Sequence, residues 1–142
     1  MLFNHRDLKD ITHQLEYIDT AIIPVIDVDY RNQLMNIVDD YEIIQTMTLA
    51  VENQFKGRVL LIPPVQVQAD YTLATVIGEQ LKSYGMNRIL FITAQTSRFE
   101  TTEAHFKVST FPLEAMGADM RADMIEPQVK ELMRTIISMW NK

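Results

Sequence analysis

Three short polar stretches, each of which follows a run of apolar residues, contain the side chains best suited to bind a ligand. The apolar runs are AIIPVI (21–26), RVLLIPP (58–64) and RILFIT (88–93). The carboxyl ends of parallel strands meet at one edge of a sheet, where ligands of open α/β proteins bind. The predicted ligand-binding residues at that edge are Asp27, Asp29, Gln66, Gln68, Gln95, Thr96, Ser97 and Arg98.

The Thr96-Ser97-Arg98 stretch could bind an anion, because hydroxyl groups donate hydrogen bonds and a guanidinium group forms bidentate contacts with anions. No glycine lies nearby to let backbone N–H groups approach a phosphate, as phosphate-binding loops require. The alternative interpretation is that Thr96 or Ser97 caps a short helical turn and that Arg98 is solvated.

Asp27 and Asp29 alternate along an extended segment, so both carboxylates could point to the same side. Two carboxylates and several waters would bind Mg²⁺ weakly. Alternatively, Asp29 caps the helix that begins near residue 31, and Asp27 is a surface charge.

No catalytic motif is present in the sequence. His5, His13 and His105 do not have the spacing of a metal site, and neither an HExxH nor a G-x-S-x-G motif occurs. The sequence therefore predicts no catalytic residue and no metal ligand, and it identifies no cofactor. Because catalytic triads assemble in space rather than along the chain, these absences leave open whether the protein is an enzyme.

The elements that must position these residues are strands and helices in alternation. We predict a helix capped by Asn4, a helix over 31–55 that is broken near Asp39-Asp40, and a helix from Asp70 to Gly85. The last helix begins at Glu126-Pro127, with proline in the first turn. Pro24 should lie at a strand end or where the hydrogen-bond ladder is interrupted.

The alternation predicts an α/β fold: a three-layer sandwich around a mostly parallel four-stranded sheet, Rossmann-like in outline, in a single domain over 1–142. The segment 105–111 alternates apolar and polar residues, which is typical of an edge strand. A parallel crossover usually needs a dozen or more residues, so we expect this edge strand to be antiparallel. Because parallel strands are covered on both faces, the residues predicted to be buried are Ile22, Val59, Leu61, Ile89 and Phe91.

Composition limits the classes of function. The 142 residues carry a formal net charge of −6, and no basic stripe is visible, so we expect no nucleic-acid partner. The apolar runs are too short for a membrane span. The chain contains no cysteine, which excludes thiolate chemistry and disulfides. The N-terminal sequence does not have the pattern of a signal peptide, so we expect a cytoplasmic protein.

The C-terminal third contains a stripe of methionines. Met116, Met120 and Met124 recur every four residues and share one face if 115–124 is a short helix. Such a stripe usually fills a core. Next to an exposed edge strand it could instead form an interface, and we expect a homodimer through residues 105–124.

The blocks EYIDTAIIPV and FKGRVLLIPP, followed by LKSYGMNRILFIT, resemble the YpiF family of small proteins from Gram-positive bacteria. The resemblance covers nearly the whole chain and implies a cytosolic bacterial protein without a defined mechanism. The strand rhythm is also similar to the start of creatininase-type amidohydrolases. Here, however, no histidine or glycine stands where that family carries its metal site, which implies a related site without its metal ligands.

Two functional hypotheses are compatible with these features. The first is a non-enzymatic interaction or regulatory module that contacts a protein partner. The second is a small-ligand binder or an enzyme that uses the carboxyl edge of the parallel sheet.

Overall fold

The computed structural model describes residues 1–142 and contains four α-helices and five strands. The helices are α1 (His5–Leu8), α2 (Leu34–Gln54), α3 (Thr72–Tyr84) and α4 (Ala118–Trp140), and one 3₁₀ turn spans Ile11–His13. The strands are β1 (Thr20–Asp27), β2 (Val59–Leu61), β3 (Val65–Val67), β4 (Arg88–Ala94) and β5 (Ala104–Val108). None of the helices is long and apolar enough to span a membrane.

All strand pairs are parallel, in the order β2-β1-β4-β5, and β3 pairs with β1 beyond the end of β2. The α/β architecture with a mostly parallel sheet is therefore confirmed, and β5 lies at an edge. The predicted antiparallel direction of 105–111 is wrong, because Leu90 pairs with Ala104 and Ala94 pairs with Val108. The connection 95–103 has nine residues, and nine residues can span at most about 30 Å when fully extended. That length exceeds the five-residue strand β5, so the chain returns without a crossover helix.

The predicted strand at 58–64 is divided into two short strands by Pro63-Pro64. Pairing of β1 with β2 ends at Ile22–Leu61, and pairing with β3 begins at Val25–Val65. Pro24 lies between these pairs, where the ladder is interrupted, so its missing N–H leaves no hydrogen bond unmade. Its predicted position is confirmed.

The sheet separates two apolar clusters. Helices α2 and α4 cover one face, while α3 and the N-terminal segment cover the other. The five residues predicted to be buried are all at most 6% exposed. On the second face, Gly78 lets α3 approach the sheet closely, because a Cβ at this position would lie 2.9 Å from Cζ of Phe91.

Two predicted helix boundaries are wrong. Helix α2 continues through Asp39 and Asp40 without a break. Helix α4 begins at Ala118 and continues through Pro127, so 115–124 is not a separate short helix. Proline removes one backbone hydrogen bond, but the buried Leu132 and Ile136 anchor the helix to the core. The Asn4 cap is confirmed, since its side chain accepts a hydrogen bond from the N–H of Asp7 at 2.7 Å.

Candidate functional site

The carboxyl edge of the sheet is organised around Asp27, the last residue of β1. Its Oδ2 accepts a hydrogen bond from the hydroxyl of Tyr71 at 2.8 Å, and its Oδ1 accepts one from Oγ of Ser97 at 3.1 Å. The parallel register aligns the ends of β1 and β4, which brings Ser97 to Asp27 across 70 positions of sequence. This half-buried carboxylate therefore already has a donor on each oxygen.

Tyr71 links three segments of this edge. It precedes α3 and packs its ring on Phe99 with a centroid distance of 5.3 Å. Its hydroxyl donates to Asp27 and accepts a hydrogen bond from the backbone N–H of Arg98 at 3.2 Å. Sequence reasoning missed Tyr71, because a tyrosine at a helix start has no local signal that identifies its distant partner.

The hydrogen-bond partner of Asp29 differs from those of Asp27. Asp29 forms a bidentate ion pair with Arg31, with both N–O distances at 2.9 Å, and accepts the N–H of Arg31 at 3.2 Å. The hydrogen bonds with the Arg31 side chain and backbone lower the pKa of Asp29. Asp29 thus stabilises the turn before α2, which is close to its alternative interpretation as a cap.

Gln66 and Gln68 lie on the outer side of this edge, where both are exposed. The Oε1 of Gln66 accepts a hydrogen bond from the hydroxyl of Tyr30 at 2.6 Å, and Nε2 of Gln68 donates to the carbonyl of Val28 at 3.4 Å. Their hydrogen bonds connect β3 to the segment after β1, and neither side chain forms a hydrogen bond with Asp27.

The remaining predicted residues follow β4. The Oε1 of Gln95 accepts the backbone N–H of Thr110 at 2.8 Å, which connects the ends of β4 and β5. Thr96 and Arg98 are exposed, and Arg98 forms no ion pair. Arg98 is therefore the one predicted residue with a charged group free to contact a ligand.

A small cavity lies behind Asp27 and is also lined by Asp40, Thr96 and Ser97. Its volume is about 10 Å³, the space that a single water molecule occupies. Burial raises the pKa of Asp40; the side chain of Thr110 opposes this effect, and the negative charges of Asp39 and Asp27 add to it. No three histidine, aspartate or glutamate side chains are grouped so that they could hold a metal ion.

A much larger feature lies between α2 and α4. This α2–α4 groove, marked by Ile43, Ala50, Leu113, Ala122, Ile125 and Met133, has a volume of about 530 Å³, and eight of its 13 lining residues are hydrophobic. Sequence reasoning did not predict it.

The groove is a consequence of small side chains between two points of contact. At their C-terminal ends the helices meet through Phe55 and Trp140, whose rings pack edge-on at 4.9 Å. Towards their N-terminal ends, Arg121 lies 3.6 Å from Glu42. Between these contacts the helices present small residues to the groove at Ala50 and Ala122, and Ala118 lines it just beyond the contact of Arg121 with Glu42.

Residues 9–140 match the model of the family described as "Protein of unknown function (DUF2487)". The chain belongs to the DUF2487 family. It is 28% identical over 141 residues to "Uncharacterized protein YpiF" of Bacillus subtilis (strain 168), and the match covers 95% of each chain. The predicted resemblance to YpiF is thereby confirmed. No solved structure matches the chain.

In this DUF2487 chain, the methionine stripe does not fill the core. Met120 is 53% exposed and Met124 is 40% exposed, because α4 directs its buried face, around Leu132 and Ile136, towards the sheet. Met120 and Met124 therefore lie on the surface of the N-terminal part of α4, whereas Met116 is half-buried in the segment before the helix.

Proposed function

We propose that the protein is a non-enzymatic interaction module and that its α2–α4 groove binds the apolar side of a helix from a protein partner. The observation that carries this proposal is the groove itself, an open and largely apolar depression of about 530 Å³. An amphipathic helix binds such a groove through apolar side chains that recur every three or four residues. Apolar surface of this kind is a common mark of protein contact sites.

The carboxyl edge supports an enzymatic function less well. Small-molecule pockets have volumes of roughly 300–1,000 Å³, whereas the cavity behind Asp27 has a volume of about 10 Å³. The Asp27 carboxylate is also occupied by Tyr71 and Ser97. A substrate would have to displace these donors before it reached the carboxylate.

The test uses a fluorescent model peptide of about 15 residues that forms an amphipathic helix with a leucine face and a glutamine face. Fluorescence anisotropy should show binding that Ala122→Trp weakens at least tenfold, because the indole fills the groove. Ala115→Trp is the matched control, since Ala115 is exposed and does not line the groove. Absence of binding, or equal binding to Ala122→Trp, would contradict the proposal.

The second candidate function is a small-ligand site at the carboxyl edge. It would correspond to a creatininase-like site that lacks the metal ligands. The exposed and unpaired Arg98, beside the hydroxyl of Tyr71, favours it. Thermal-shift measurements with nucleotides, sugar phosphates and divalent ions should then give a ligand whose stabilisation rises with concentration and is lost in Arg98→Ala. The residues proposed for this site are Asp27, Asp29, Gln66, Gln68, Gln95, Thr96, Ser97 and Arg98.

A homodimer through residues 105–124 is a further part of the proposal. The outer edge of β5 has no strand partner. Helix α4, which carries the exposed Met120 and Met124, is linked to Ser109 after β5 by the hydrogen bonds of Gln128. Light scattering at micromolar concentration should give the mass of a dimer, and Met120→Glu should return it to a monomer. A monomeric mass for the unmodified chain would rule out this dimer. We also propose a cytoplasmic location, which the cysteine-free sequence suits and cell fractionation would test.

A further inference from the structure

We infer that the segment bound by the α2–α4 groove is a basic amphipathic helix, with lysine or arginine beside its apolar stripe. This inference rests on the proposed function and concerns the chemistry of the partner. It is drawn from the charged side chains along the two rims of the groove, most of which are carboxylates.

The rim formed by α4 is predominantly acidic. Glu126 and Lys130 line the groove, and Asp119 and Asp123 precede Glu126 by seven and three positions, on the same strip of the helix. The three carboxylates are exposed and form no ion pair within the chain. Lys130 is the single unpaired cation on this strip.

The rim formed by α2 carries no cation. Glu42 lines the groove, and Asp39 accepts a hydrogen bond from the N–H of Leu113, which also lines it. Glu52 and Asp40 do not belong to this rim, because Glu52 is 2% exposed and paired with Lys56, and Asp40 lines the cavity behind Asp27. The helix contains no lysine, arginine or histidine. Arg121 extends from α4 across the groove towards Glu42, but its guanidinium group donates to the carbonyls of Leu113 and Met116 at 2.8 and 3.2 Å. Its guanidinium group is therefore held in place by the fold, although its charge remains. The charged side chains along the two rims are five carboxylates, Asp39, Glu42, Asp119, Asp123 and Glu126, and two cations, Arg121 and Lys130, so their net charge is −3.

A second copy of the chain fits this net negative charge less well. Five apolar residues of α2 are exposed, and three of them, Leu34, Val38 and Tyr41, form a helical strip that a neighbouring molecule could insert. Asp39 and Glu42 flank this strip, so insertion would bring carboxylates of one copy near those of the other. Like charges in close contact disfavour a complex, whereas lysine or arginine on a partner would pair with the same carboxylates.

The dimensions indicate the length of the segment. The groove follows α4 from Ala118 to Met133, which spans about 22 Å of helix. A partner helix of about 15 residues, or four turns, would occupy it. This length is sufficient for two or three basic residues on each side of an apolar stripe.

The experiment compares three model helices that share one leucine face and have lysine, glutamine or glutamate on the polar face. Anisotropy should show the lysine peptide binding about tenfold more tightly than the glutamine peptide at about 0.05 M salt, and this difference should shrink at about 0.5 M salt. The glutamate peptide should bind most weakly.

Paired variants separate the rim from the overall negative charge. Asp123→Asn with Glu126→Gln should weaken binding of the lysine peptide about three- to tenfold and leave the glutamine peptide unchanged. Glu16→Gln with Glu79→Gln is the matched control, because it removes the same charge from exposed positions in the opposite layer. This control should not change the affinity.

Each alternative outcome has a distinct meaning. If all three peptides bind equally and Ala122→Trp abolishes binding, the groove binds helices and the inference about charge is wrong. If both paired variants weaken the lysine peptide equally, only the net charge attracts it, and the inference is again overturned. If no peptide binds, the proposed function itself fails. A dimer that Ala122→Trp dissociates and Met120→Glu leaves intact would instead identify a second copy as the occupant.

Discussion

Replacement of Gly78 by alanine tests how α3 is held against the sheet. The added Cβ would lie 2.9 Å from Cζ of Phe91 and 3.6 Å from Cγ2 of Ile89. Phe91 is 1% exposed and packs edge-on against Phe99 at 4.9 Å, so its ring has no space into which it could move. The helix must therefore shift outwards, which would also displace Tyr71 at its start.

Two opposing effects determine the magnitude. Overpacking of a core costs about 1–3 kcal/mol, and alanine is favoured over glycine in a helix interior by about 1 kcal/mol. The expected net loss in the free energy of unfolding is therefore about 1 kcal/mol. For a chain of this length it corresponds to a decrease in Tm of about 4 °C.

A double-mutant cycle measured by urea unfolding separates the two effects. Phe91→Leu removes Cζ, so in this background Gly78→Ala should stabilise the protein by about 1 kcal/mol through helix propensity alone. The coupling free energy between the two positions should then be about 2 kcal/mol. If Gly78→Ala stabilises both backgrounds equally, the contact between α3 and β4 is not close and the reasoning is refuted.

Three further predictions concern the core and the titratable groups. Leu61→Ala should lower the free energy of unfolding by about 2–5 kcal/mol; a loss below about 0.5 kcal/mol in urea melts would remove β2 from the core. Burial, aided by the positive charge of Lys107, lowers the pKa of His105 below 6.5, so the unfolded chain binds the proton more readily and stability should fall as pH decreases from neutral through the folded-state pKa. His105→Gln should flatten this part of the pH profile, and an unchanged slope would assign it to other groups. Burial raises the pKa of Asp40 above 3.8, so the contribution of Asp40 to the free energy of unfolding falls as pH rises through its folded-state pKa. Asp40→Asn should therefore raise the urea midpoint at neutral pH, and a lower midpoint would contradict this assignment.

At the carboxyl edge of the sheet, local sequence patterns predicted which strand ends meet but not the partners of each side chain. The sequence placed the ends of β1 and β4 together, because buried parallel strands are continuous apolar runs and their polar ends are visible in the chain. It did not show that Asp27 and Asp29 have different partners, because alternation along a strand predicts only the face of the sheet on which a side chain lies. The neighbour of Asp29 is Arg31, two positions away, whereas the neighbours of Asp27 are Tyr71 and Ser97, which only the assembled sheet supplies.

The sequence by itself determined the α/β class, the five residues predicted to be buried, and the positions at which β2 and α3 end. Pro63-Pro64 ends an apolar run and Gly85 ends α3. Both effects depend on local backbone chemistry and require no contact with a distant segment. The tertiary structure decided the direction of β5, the continuation of α4 through Pro127 and the existence of the α2–α4 groove. These features depend on contacts between distant segments. Phe99 anchors the return to β5, and the groove lies between two helices, both of which contribute alanines to its lining.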